Sequence, residues 1–161
     1  MRRRRRFPGP LARALAAVLA LAAGDAALSA QPAALLRDFR RAHGILVTRS
    51  GCLWLDLWFA ESQAQRAQGL MFVRQLEEYE GMVFVSDPPV RANMWMKNTY
   101  VPLDMVFLDA GGRVIGVARD AKPLSEDLIS TSGPVGVVLE VNAGFYDRHH
   151  LANGDRLQWV P

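Results

Sequence analysis

From Gly44 onward the chain is built of short apolar runs in which side chains alternate in character, the period of β-strands. Ile45 to Thr48 and Cys52 to Phe59 flank the turn pair Ser50-Gly51 and predict a hairpin. Ala60 to Gly69 switches to a helical composition, and Gly69 stands where a left-handed residue ends a helix. Strand patterns return at Gly81 to Ser86, closed by Asp87-Pro88-Pro89, and then at Arg91 to Lys97, Leu103 to Asp109 and Arg113 to Arg119. The glycines of Ala110-Gly111-Gly112 suit a tight hairpin between the last two. Pro123 to Pro134 reads as a long polar connection, Val135 to Val141 as a strand, Ala143 to His150 as one or two helical turns, and Asp155 to Val160 as a closing strand. Many short strands punctuated by glycine and proline predict a mainly β fold, a sandwich or small barrel, over a parallel α/β sheet.

The first thirty residues differ in kind. Arg2 to Arg6 are all basic, and Leu11 to Ala23 is apolar apart from Arg13, the order of a secretory signal peptide. The apolar stretch is shorter than the roughly 20 residues a membrane span needs. The small residues Ala26, Ala27, Ser29 and Ala30, interrupted by Leu28, favour cleavage after Ala30, so the expected product is exported, periplasmic or secreted. Residues 31–43 read as a linker or short helix through Leu35, Leu36 and Phe39, and 44–161 as one β domain.

This division changes the charge. The whole chain has 19 Lys and Arg against 16 Asp and Glu, but six of the basic residues and only Asp25 lie in the leader, leaving a net charge of −2. With no basic cluster beyond Arg40-Arg41, nucleic acid is excluded as an expected partner. Cys52 is the single cysteine, which forbids an intrachain disulfide, and it is expected to be a small buried hydrophobe at the start of its strand.

Candidate chemistry concentrates between Met94 and Leu108, where Lys97, Asn98, Thr99 and Asp104 interrupt an apolar segment. If the strand continues through Thr99, Met94, Met96 and Asn98 share one face, and Trp95, Lys97 and Thr99 the other. Asp104 falls with Val106 and Leu108 on a buried strand, where a carboxylate needs a partner, and Lys97 is the nearest cation. Such a pair would serve acid–base chemistry or simply structure. Glu140 is similarly placed inside Val137-Val138-Leu139-Glu140-Val141. Trp54, Trp58, Trp95 and Trp159 could line a ligand groove, although large aromatics first fill cores.

Metal chemistry has little support at this level. Met71, Met82, Met94, Met96 and Met105 could offer thioethers to Cu(I), but they form no closely spaced cluster and read first as core fillers. His149-His150 point about 100° apart on a helix, which disfavours joint ligation of zinc. No nucleophile elbow, phosphate loop or dinucleotide fingerprint is present, and no cofactor is expected.

Gly69-Leu70-Met71, Gly81-Met82-Val83-Phe84, Met94-Trp95-Met96-Lys97-Asn98-Thr99, Pro102-Leu103-Asp104 and Leu139-Glu140 with Gly144 resemble, in order and spacing, the family called domain of unknown function 192. The resemblance covers roughly Cys52 to Val160. It implies a compact β-sandwich of jelly-roll type with little helix, in a family many of whose members look secreted or membrane-tethered, and it supplies no activity or catalytic residue.

The leading expectation is therefore an exported β-sandwich that binds a small ligand, envelope polymer or protein partner through Trp95, Lys97, Asn98, Thr99, Asp104 and Glu140. One rival is a hydrolase using Asp104 or Glu140 as base and Lys97 to stabilise negative charge. The other is a structural domain without a small-molecule site.

Overall fold

The computed structural model describes residues 34–159, and the expected leader, residues 1–30, lies outside the described residues. In chain order the elements are β1 (Arg40–Thr48), β2 (Gly51–Phe59), α1 (Gln63–Gln68), β3 (Glu80–Met94), β4 (Leu103–Leu108), β5 (Val114–Ala121), β6 (Ile129–Asn142), α2 (Phe145–Arg148) and β7 (Arg156–Trp159). The fold is mainly β. All seven strands join one sheet in the order β5-β4-β6-β3-β2-β1-β7, whereas a jelly-roll sandwich would divide them between two facing sheets.

The sheet curls until its edge strands meet at one end. Arg113 bridges to Arg156, the Leu157 amide donates to the Gly112 carbonyl at 2.9 Å, and the Gly154 amide donates to that of Val114 at 2.8 Å. Gly112 is what allows the approach: its φ is +75°, and a Cβ there would run into the Leu157 carbonyl oxygen.

Two apolar layers lie on opposite sides of the central strands. One holds Leu57, Val83, Val106, Leu139 and Phe145. The other holds Met82, Phe84, Met105, Phe107 and Val138, and is covered by Leu36, Leu70, Val73, Met96 and Val101 from the connecting segments. Strands covered on both faces need apolar side chains at consecutive positions, which is why all six residues of β4 are buried. Alternation within a strand shows that a face is buried, but not whether a second sheet or a set of loops covers it. Here the cover is a helical crossover and loops.

Several elements depart from the sequence pattern for identifiable reasons. β1 begins at Arg40, inside the segment read as a linker or short helix, and Leu36 and Phe39 are buried. β3 runs through Asp87-Pro88-Pro89 instead of stopping, because its register against β6 shifts between Val85 and Val90 and the prolines sit in that exposed bulge. β6 begins at Ile129, within the expected polar connection: Ile129 and Ser130 pair with Met94 and Asn93, in an arm exposed enough for a polar sequence. Cys52 is exposed, opposite Val47 near the hairpin turn, beyond the reach of either apolar layer. Among the described residues no helix is long and apolar enough to cross a membrane.

The closing seam makes a testable demand. Gly112→Ala is expected to cost about 2 kcal/mol or more, combining backbone strain with a forced separation of the seam. Gly133→Ala, where an added Cβ meets nothing within 4 Å, should stay within about 0.5 kcal/mol of wild type. Urea denaturation of both variants checks the pair, and equal stabilities would remove the seam from the account.

Candidate functional site

The segment after β3 leaves the strand at Met94 and turns sharply. The Thr99 amide donates to the Met96 carbonyl at 3.0 Å, and Asn98 takes a φ of +55°, a left-handed conformation that asparagine tolerates better than most residues. The strict face alternation expected through Thr99 therefore ends before Lys97. Backbone bonds lock the turn in place: Met96 N to Ser125 O at 2.9 Å, Leu124 N to Thr99 O at 3.1 Å, and Phe72 N to Asn98 O at 2.8 Å. The last of these ties it to the segment leaving α1.

α1 is short but well capped. Ser62 and Gln65 form a reciprocal capping box, and Gly69, at a φ of +50°, ends the helix so that Leu70 and Val73 reach the outer apolar layer. The end of α1, the end of β3 and the 97–99 turn converge over β6. They enclose a cavity of about 60 Å3, lined by Arg66, Gln68, Met71, Phe84, Asn93, Met94, Trp95, Lys97, Thr99 and Glu140 among others.

Glu140 is the unusual member. It is 4% exposed and sits in register between Met82 of β3 and Met105 of β4, on the face of β6 that carries Val138. No hydrogen bond from a described residue reaches its carboxyl, and burial pushes its pKa up to about 8. At neutral pH it is mostly a neutral acid with a proton to donate and lone pairs to fill. A buried polar group without a partner costs about 1–3 kcal/mol, so its retention calls for an occupant of the adjacent space.

Asp104 meets the opposite fate. Its Oδ1 accepts from the Asp120 amide and its Oδ2 from the Tyr146 amide, both at 3.0 Å. It belongs to the other face of the sheet, with Val106 and Leu108, and clamps the end of β5 and the start of α2 to β4. Lys97 does not pair with it: the Lys97 Nζ lies 3.4 Å from Glu126 Oε2 and 5.9 Å from the Trp95 ring centroid. That ion pair is half-exposed and worth at most about 1 kcal/mol, so little holds the ammonium there. The pairing of Lys97 with Asp104, on which one form of the hydrolase reading depends, is thus absent, because the sheet separates them.

Of the six residues singled out in the sequence, Trp95, Lys97, Thr99 and Glu140 line one cavity. Asn98 stands beside it, with Nδ2 3.9 Å from the Met71 sulfur, and Asp104 stands apart. Arg66, Gln68 and Asn93 were missed; they come from α1 and β3, and nothing local in those stretches distinguishes them. Arg66 is already committed to the carbonyls of Val85 and Glu61. Of the other tryptophans, Trp58 is buried, Trp159 packs edge-on against Phe59, and Trp54 borders an open groove with Tyr79, Asp56 and Glu77. His149 faces Glu78 at 2.9 Å, and among the described residues no three His, Cys, Asp or Glu side chains converge as a metal site.

Residues 45–159 match the family profile of DUF192, described as an uncharacterized ACR. No curated protein matches the chain significantly. Two solved structures are similar over most of their length. A Sinorhizobium meliloti protein, described provisionally as a transcription regulator, is 39% identical with a TM-score of 0.73, over 75% of this chain and 95% of its own. A protein of unknown function from Novosphingobium aromaticivorans is 35% identical with a TM-score of 0.72, over 75% and 86%.

The two buried acids are separable by experiment. Asp104→Ala strands the buried Tyr146 amide and the partly buried Asp120 amide and is expected to cost roughly 2–5 kcal/mol in urea denaturation. Glu140 behaves differently: unfolded it ionises near 4.5, folded near 8, so between these values the native state holds the extra proton and stability falls as pH rises. Relative to Glu140→Gln, the wild type should lose up to about 4 kcal/mol between about pH 5 and pH 8. Parallel pH profiles of the two proteins would show the cavity carboxyl to be ordinary.

Proposed function

Because the chain belongs to the DUF192 family, which brings no activity with it, we propose from the site itself that the protein is a ligand-binding module of the cell envelope. Its binding site is the Glu140 cavity. The observation that carries this reading is a carboxyl 4% exposed, unpartnered, and bordering a space of about 60 Å3. A domain with a purely structural polar block would spend that carboxyl as it spends Asp104, on backbone amides. The space takes a small ligand, or one terminal group of a larger envelope molecule, with Trp95 and Lys97 half-exposed at its rim and Thr99 buried in its wall.

Export rests on the leader pattern, Arg2 to Arg6 followed by the apolar stretch to Ala23. Regulation of transcription, the provisional role of one structural neighbour, finds less support. Arg40, Arg41, Lys97, Arg119 and Arg148 each lie within 4.0 Å of a carboxylate, which leaves no continuous basic surface for phosphates among them.

Binding is tested by thermal shift with a defined panel: peptidoglycan fragments, uronic acids, free amino acids, and mono- and divalent metal ions. At least one should raise the Tm of the wild type and leave Glu140→Gln unmoved. A panel that stabilises neither protein, or both equally, removes the cavity as the site. For export, the mass of the protein recovered from the native host should lack the first thirty residues; an intact chain confined to the cytoplasm overturns that half of the reading.

A further inference from the structure

The methionines, scattered along the sequence, are gathered by the fold. Every methionine after Met1 lies on the Glu140 side of the sheet. Met82, Met96 and Met105 are fully buried in the outer apolar layer, and two of them flank Glu140 in register on either side. These three account for themselves as packing. Met71 and Met94 do not: each is only partly buried, and each borders the cavity that Glu140 borders. The cavity is thus bordered by two methionines, the sulfur of one of them 3.9 Å from the Asn98 Nδ2, and by one unpartnered carboxyl.

That donor set discriminates between occupants. Calcium and magnesium need six or more oxygen donors, and structural zinc needs imidazole or thiolate, neither of which borders this space. Thioethers select soft Cu(I). The space is small, about 60 Å3, and room for a single ion is well within it. A monovalent cation also supplies the charge that burial withholds from the carboxylate.

Resting on the reading that the Glu140 cavity is a ligand site, we propose that its ligand is Cu(I), bound by the Glu140 carboxylate and the thioether sulfurs of Met71 and Met94. Binding is an exchange without redox: Cu(I) enters as a monovalent ion, the Glu140 proton leaves to solvent, and the net charge of the site is unchanged. Lys97 does not block entry, since its ammonium stands half-exposed at the rim and is free to swing into solvent.

The test uses the full chain carrying Cys52→Ser, because that exposed thiol would otherwise hold Cu(I) by itself. Anaerobic Cu(I) is titrated in competition with a chromogenic Cu(I) chelator. One equivalent should be retained, with release of about one proton at pH 7, and Met71→Leu/Met94→Leu should weaken retention at least tenfold while keeping a native circular dichroism spectrum. Glu140→Gln should abolish the proton release. No retention against the chelator, or equal retention by the double methionine variant, overturns the assignment. If an organic member of the panel above stabilises the protein through Glu140 while Cu(I) is not retained, this inference falls and the cavity reading stands; if no probe acts through Glu140, both fall.

Discussion

The burial of β4 and β6 on both faces governs what every other part of the structure can do. A strand in that position has no solvent to satisfy its side chains, so each polar group must find a protein partner or remain uncompensated at a cost of about 1–3 kcal/mol. β4 and β6 each carry one acid into this environment, Asp104 and Glu140, exposed by 1% and 4%. The covering layers decide their roles. On one face, the end of β5 and the start of α2 bring two amides to Asp104. On the other, the cover is made of side chains and a turn whose backbone bonds run within itself and to neighbouring segments, and no hydrogen bond from a described residue reaches Glu140.

The covering segments explain why the most polar motif of the chain lies where it does. Met96 and Val101 must enter the outer layer, yet the backbone between them has to reverse direction. Asn98 supplies the left-handed step, and its carbonyl and that of Thr99 anchor the neighbouring segments. Lys97 and Trp95 are left at the surface as a consequence of that reversal. The Met-Lys-Asn-Thr element is in this sense both a turn and a rim: the same conformation that closes the layer also opens the cavity beside Glu140.

Much of this was legible in the sequence. The hairpin of β1 and β2, the helix stopped at Gly69, the strands β4 and β5 with their glycine turn, and the closing strand all follow from local alternation and turn chemistry. The continuity of β3 and the arm of β6 were not, because prolines in a bulge look like a strand end, and the β6 arm, with Ile129 packed on the core amid polar residues, carries too little hydrophobic period. The candidate site was partly legible: a charge inside an apolar strand is conspicuous wherever it occurs, so Glu140 and Asp104 stood out together. Arg66, Gln68 and Asn93 carry no such signal, being polar residues in polar surroundings until the fold brings them to the cavity.

The sequence by itself determined that the protein is mainly β and that two acids inside apolar strands need an explanation, since these are consequences of local pattern and of the cost of desolvation. Only the tertiary structure decided that one curled sheet, not two, carries the strands, that its central strands are covered on both faces, that Asp104 and Glu140 face opposite layers, and that five methionines scattered along the chain lie on the Glu140 side. The physical reason is that alternation records which side of a strand is covered but never by what. The identity of the covering groups, and hence whether a buried acid is satisfied or left waiting, is a property of contacts between segments far apart in the chain.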